Sequence, residues 1–218
     1  MRRNFTLVEI LVVLGLMAIL LFIALPAFEK LAKGSGVELA TRNLASKLGM
    51  ARGYAITNRQ YVAVLMPTTG LPNDYIYKGY KLCIVSSTFT GTNPAIFTFK
   101  RWIPSEKWEF LPNGTSINHI NNINPHSAGS DSDSWAAASA KEEIDNVNLT
   151  ELGASYNSVD NVRAIVFKPT GKMAVTGNRY VAVSESTYNG TDLIPTNKKN
   201  WIDVTIDQFT GRVTYGAE

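Results

Sequence analysis

The sequence predicts an α+β protein in which one long N-terminal helix, apolar in its first half and amphipathic in its second, packs on an antiparallel β-sheet head. Three observations predict it. From Phe5 to Phe28 the chain is apolar with Glu9 as its only charge; from there to about Asn58 apolar residues recur at helical spacing; and from Tyr61 onward short β-branched and aromatic runs alternate with turn residues.

The first segment, as a helix, is about 36 Å long, enough to cross a hydrocarbon layer of roughly 30 Å. Arg2 and Arg3 precede it and no basic residue interrupts it, which orients the short N-terminus to the cytoplasm and the rest outward. A cleaved secretory signal needs small residues at −3 and −1, and the best candidate site, after Ala27, has Leu25 at −3. The paired arginines also suggest a twin-arginine export signal, but such signals have a less apolar core and no glutamate within it. A lone carboxylate in such a run costs up to about 3 kcal/mol unless it has a partner, a water path or a task. Glu9 therefore either snorkels to the headgroups or awaits a cation.

Beyond Pro26 the pattern becomes amphipathic. Leu44, Leu48, Ala51 and Ala55 form a stripe, with Lys47, Arg52 and Arg59 off it. Pro26 removes a backbone donor, and Gly34 and Gly36 each weaken a helix by about 1 kcal/mol relative to alanine, so a kink or a locally unwound stretch is expected there.

The head then reads as strands in "YVAVLM", "IYKGYKLCIV", "AIFTFKRWI" and "KWEFL". A polar insertion, rich in Asn, Ser, Asp and Gly, is expected over about 113–160, with a short helix at "SWAAASAKEEI". Strands return in "VRAIVFKPTGKMAV", "RYVAVSES" and "WIDVTIDQFTGRVTY". The organisation is thus 1–4 leader, 5–28 apolar helix, 29–59 amphipathic helix and 60–218 head.

Composition narrows the function classes. With 45% hydrophobic residues and 18% charged in 218 residues, the chain holds one anchor and one globular domain with a core of its own. The net charge of +3 falls to about +1 without Arg2 and Arg3, so overall charge implies no nucleic-acid partner. The single cysteine, Cys83, lies in an apolar run and reads as a buried strand residue. His119 and His126 lack companions at zinc spacing. Asp131, Asp133 and Asp145 could offer oxygens to calcium, but no twelve-residue loop with a closing glutamate surrounds them. Asn113, Asn148 and Asn189 match glycosylation sequons of a kind frequent by chance in Asn- and Thr-rich loops. No Ser/His/Asp set or phosphate-binding loop is present, and the reading is of a protein that is not an enzyme, with no cofactor and no metal.

The stretch "NFTLVEILVVLGLMAILLFIALPAF" resembles the N-terminus of type IV pilins and of the pseudopilins of type II secretion. The resemblance implies that a basic leader is cut between Asn4 and Phe5, that Phe5 becomes an N-methylated first residue, and that Pro26 occupies the family's helix-breaking position. It also answers why Glu9 is there: in an assembled filament its carboxylate pairs with the new Phe5 amine of a neighbouring subunit, which fixes register. Asn4 departs from the glycine usual before the cut. Val166 to Gly171, Gly211-Arg212-Val213 and "ASKLGMARGYAITNRQ" further resemble the GspH/FimT-like minor pseudopilins.

The implied partners are other pilins or pseudopilins, a prepilin peptidase and an inner-membrane platform protein. The implied location is the bacterial inner membrane, head outward, and then a filament. Two other readings compete. One is a FimT-like DNA-binding minor pilin, using Lys198, Lys199 and Arg212 with Lys168, Lys172 and Arg179, whose phosphate contacts would be weak and salt-dependent. The other is a plain single-pass anchored domain.

Overall fold

The computed structural model describes residues 7–88, 96–121 and 142–216; within these, the side chains of 23–34, 119, 121 and 198 are not described. It divides into two compact units, Met1–Ser35 and Gly36–Glu218. One helix, α1 (Leu7–Asn58), enters both.

In the first unit every described side chain from Leu7 to Phe22 is exposed, from Leu7 at 80% to Phe22 at 81%. Glu9 lies in the first turn of α1, where the helix dipole favours an acid. Among the described residues no helix is long and apolar enough to cross a membrane. Pro26, Gly34 and Gly36 all lie within α1, to which Pro26 contributes no backbone donor.

In the second unit the expected stripe is the centre of the core. Val37, Ala40, Leu44, Leu48, Ala51 and Ala55 are all fully buried. The helix stops through its backbone: Gln60 N–H donates to the Ala55 carbonyl at 3.2 Å and Arg59 N–H to Ile56 at 3.4 Å. Arg59 takes the left-handed conformation, φ 52°, that such a C-terminal motif requires.

Among the described residues the head contains two sheets. The first comprises β1 (Tyr61–Leu65), β2 (Gly79–Thr88), β3 (Ile96–Trp102), β4 (Glu109–Phe110), β6 (Glu143–Asp145) and β7 (Val162–Phe167), ordered β1-β7-β6-β3-β2-β4 with β1 also paired to β2. The pairings β1-β7-β6-β3-β2-β1 therefore close a ring. The second sheet runs β10-β9-β8-β5, with β5 (Thr115–Asn121), β8 (Arg179–Tyr188), β9 (Leu193–Ile206) and β10 (Val213–Gly216). Strand alternation sorts the ring's side chains onto two cores. Val62, Val64, Leu82, Ile84, Ile165 and Phe167 pack with the helix stripe and with Val181, Val183 and Val204 of the second sheet. Ala63, Leu65, Cys83, Val85, Ala164 and Val166 build a separate cluster with Ile144, Val147 and Leu149. Cys83 is buried as expected, and burial pushes its thiol well above the usual range against the pull of Lys81.

Three expectations about the head are corrected. The strands do not form one antiparallel sheet: there are two, and β3 pairs with β6 in parallel. The span 113–160 is not a surface insertion throughout, since β5, β6, Val147 and Leu149 contribute to the core. Thr115, Ser116, Ile117, Asn118, Ile144 and Leu149 are all buried. Polar composition hid β5 because its buried polar side chains are satisfied by β8: Ser186 Oγ donates to Asn118 Oδ1 at 2.8 Å, and Ser116 Oγ to the Ser186 carbonyl at 3.0 Å. Of the expected helix "SWAAASAKEEI", Glu143 and Ile144 form a strand held by β7, and the part before Glu142 lies outside the described residues.

Candidate functional site

Asn4 and Phe5, the expected processing positions, lie outside the described residues. Glu9 is described, one helical turn after Phe5 in sequence, on the exposed apolar surface that runs to Phe22. This surface is a row of mostly branched aliphatic side chains that carries a single acid.

The three stretches that carry the resemblance in the head converge at one point. The turn after β7 closes with Gly171 N–H donating to the Lys168 carbonyl at 2.8 Å, and the turn between β9 and β10 with Gly211 N–H donating to Asp207 at 2.8 Å. Gly171 and Gly211 have φ values of 78° and 64°. From α1, Arg52 Nε donates to the carbonyls of Thr210 at 2.9 Å and of Gly171 at 3.3 Å. One guanidinium thus ties the helix to a turn from each sheet. Asp207 braces its turn by accepting from Thr210 N–H at 2.7 Å and Thr210 Oγ1 at 2.8 Å. The Thr210 hydroxyl and amide hold the Asp207 carboxyl below the usual range.

The basic candidates do not form one patch. Arg212 adjoins the Arg52 knot, as do Lys168 and Lys172 through their turn. Lys199 lies on β9 between Asn197 and Trp201, where the pairing with β8 shifts register, while Arg212 lies in the turn before β10. The side chain of Lys198 lies outside the described residues. Arg179 is 1% exposed and turned inward: its Nη1 donates to the carbonyls of Thr176, Gly177 and Asn178, and its Nε lies 3.3 Å from Glu142 Oε1. It cannot reach a phosphate.

Glu142 leads into β6, and Arg179 opens β8, so this buried pair joins the two sheets. Val166 N–H donates to Glu142 Oε2 at 2.8 Å. Burial nonetheless pushes the Glu142 carboxyl up to about 7, with Arg179 and the Val166 amide opposing. A second buried charge is Lys47, whose Nζ donates to Glu106 Oε2 and Glu109 Oε1, both at 2.6 Å. Burial pulls its ammonium down, but the hydrogen bonds and charges of the two glutamates outweigh that and hold it above the usual lysine range.

Among the described residues no group of three or more His, Cys, Asp and Glu could hold a metal. Asp131 and Asp133 lie outside them, and Asp145 Oδ1 accepts the Asn161 amide at 3.1 Å. Asn148 and Asn189 act as turn acceptors: Asn148 Oδ1 takes the Thr150 hydroxyl at 2.9 Å, and Asn189 Oδ1 takes the amides of Thr191 and Asp192 at 2.8 Å.

One cluster went unread in the sequence. Phe110, Tyr75, Trp108, Trp102 and Phe99 form a continuous chain of ring contacts, from Tyr75–Phe110 at 5.2 Å to Phe99–Trp102 at 4.8 Å. Lys81 Nζ sits 4.0 Å from the Trp102 ring centre and donates to Glu151 Oε1 at 2.6 Å. Its signal in the sequence is the mixed basic and aromatic run "FKRWIPSEKW", whose two ends read as strands.

No family model matches the chain, and no curated protein matches it. Two solved structures are similar, both crystal structures of the Pseudomonas aeruginosa type IV minor pilin FimU. One aligns with a TM-score of 0.41 at 14% identity over 84% of this chain and 90% of that one. The other aligns with a TM-score of 0.38 at 14% identity over 83% and 92%. Likenesses this loose carry no argument about this chain.

Proposed function

We propose that this chain is a subunit of a pilin-like filament: a minor pilin or pseudopilin of a type II secretion or type IV pilus-like machine in a bacterial inner membrane. The observation behind the reading is the division of α1. From Leu7 to Phe22 it presents an apolar surface to its surroundings, and from Val37 to Ala55 its apolar stripe is consumed in the head's core. An apolar surface of that length needs a bilayer or the helices of other copies around it.

In this reading the peptidase cuts after Asn4 and the Phe5 amine is methylated. The Glu9 carboxylate of an incoming subunit then meets that cation on a neighbour. In the low dielectric between packed helices a misplaced carboxylate is strongly disfavoured, so the pair selects one register. The head is the displayed part. The GspH/FimT-like assignment rests on the two motif turns, which belong to the single knot around Arg52. Other pilins or pseudopilins and the inner-membrane platform protein are the partners this role demands.

Intact mass of the protein isolated from its native membrane, with sequencing of the N-terminal peptide, tests the reading. A chain beginning at methylated Phe5, together with loss of filament incorporation in Glu9→Ala, is expected. A chain that still begins at Met1, with Glu9→Ala behaving as the wild type, would return the protein to the plain single-pass anchored class.

A further inference from the structure

We infer that the outer edge of β3 is a docking site for an extended acidic peptide segment of a partner protein, which adds to the first sheet as a strand. The inference does not depend on the filament role.

β3 is paired along its inner side by β2 from Phe97 to Trp102. On its outer side β6 reaches only Phe97 and Thr98. Beyond Thr98 that edge has no strand partner among the described residues. An open edge offers backbone donors and acceptors that another extended chain can take up.

The space beside it is a cleft of about 380 Å³ between the 99–102 edge and the segment Asn148–Glu151, within the size range of ligand sites. A second cleft of about 350 Å³ adjoins it through Glu151 and is lined by Tyr75, Lys107 and Trp108. The four edge residues span about 13 Å, room for a comparable length of peptide.

The walls are fixed in advance. Trp102 Nε1 donates to the Asn148 carbonyl at 3.1 Å, and Trp108 Nε1 to Glu151 Oε1 at 2.8 Å. A register shift in β3 opposite Ile84 and Val85 leaves Lys100 as an extra residue. The bulge brings Phe99 and Trp102, three apart in sequence, to the same side of the sheet. Both rings stay partly exposed toward the cleft.

Charge selects the occupant. Lys100, Arg101 and Lys107 are exposed and form no ion pair among the described residues. The neighbouring acids are engaged: Glu151 by Lys81, Glu106 and Glu109 by Lys47, and Asp145 by the Asn161 amide. Lys100, Arg101 and Lys107 stand against Asp145 and the one charge of Glu106 and Glu109 that Lys47 leaves unbalanced, so the rim is cationic by one charge. A bulge and basic residues guard this edge against a second copy of itself while favouring a strand of opposite charge.

The test uses the full-length chain in detergent micelles and a fluorescein-labelled heptapeptide of alternating glutamate and valine. Its controls are the alternating lysine and valine peptide, the acidic peptide N-methylated at alternate amides, and a single-stranded oligothymidine. The acidic peptide is expected to give saturable anisotropy and to shift the indole N–H resonances of Trp102 and Trp108. The double variant Lys100→Glu, Arg101→Glu should weaken it at least about tenfold, and Lys100→Gln, Arg101→Gln by less. N-methylation should abolish binding, because it removes the strand hydrogen bonds and leaves the charge unchanged. Equal binding of the N-methylated or lysine peptide, binding of oligothymidine alone, or no saturable peptide binding at millimolar concentration would each overturn the proposal.

Discussion

Gly211 and Gly171 meet backbone to backbone, so closely that a Cβ on Gly211 would stand 1.9 Å from the Gly171 carbonyl oxygen. The contact brings together a turn from each sheet, and Arg52 seals it by donating to a carbonyl on either side. The two motifs legible near the end of the sequence are therefore two halves of one joint.

Gly211→Ala should be severely destabilising, by at least about 3 kcal/mol, because backbone must move and φ is positive. Gly53→Ala is the contrast: a Cβ there meets nothing within 4 Å on an exposed helix face, and a gain of about 0.5 to 1 kcal/mol is expected. Urea unfolding followed by tryptophan fluorescence measures both, and similar midpoints for the two variants would contradict the joint.

Lys47→Met keeps the packing stem and removes the ammonium held between Glu106 and Glu109. The two glutamates are then left facing each other, Glu106 nearly buried, and a loss of about 2 kcal/mol is expected. Adding Glu106→Gln to Lys47→Met should recover part of it; a double-mutant cycle with no coupling would show that the pair is idle.

Glu142 gives the head a pH dependence. Its folded carboxyl titrates at about 7, above the ordinary 4.5, so between these values the folded state holds a proton that the unfolded chain has released. Its contribution is full below about 4.5 and declines as pH rises through about 7, by on the order of 3 kcal/mol in all. Urea midpoints measured across that interval should fall for the wild type relative to Glu142→Gln. Parallel curves for the two would refute the assignment.

Arg59 ends α1 in a left-handed conformation, φ 52°, that costs a residue with a Cβ roughly 1 kcal/mol. Its side chain is exposed. Arg59→Gly should raise stability by about that amount, read as a higher thermal midpoint; a lower one would mean that the guanidinium contributes more than the backbone loses.

The sequence by itself determined the helix, its division into an apolar and an amphipathic half, and the buried stripe from Leu44 to Ala55, because these rest on periodicity and composition within one segment. It also determined most strands and the burial of Cys83. Only the tertiary structure decided what depends on partners distant in the chain. Lys47 and Arg179 read as surface cations until Glu106, Glu109 and Glu142 appear beside them. Thr115–Asn121 read as loop because its polar side chains are satisfied by β8, some 65 to 70 residues away. Two sheets in place of one, the parallel pairing of β6, and the scattering of Lys199 and Arg212 over separate places follow from pairings no local pattern encodes. A charge or an amide side chain carries the same letter in water and in a core, and its free energy is fixed by the groups that the fold brings to meet it.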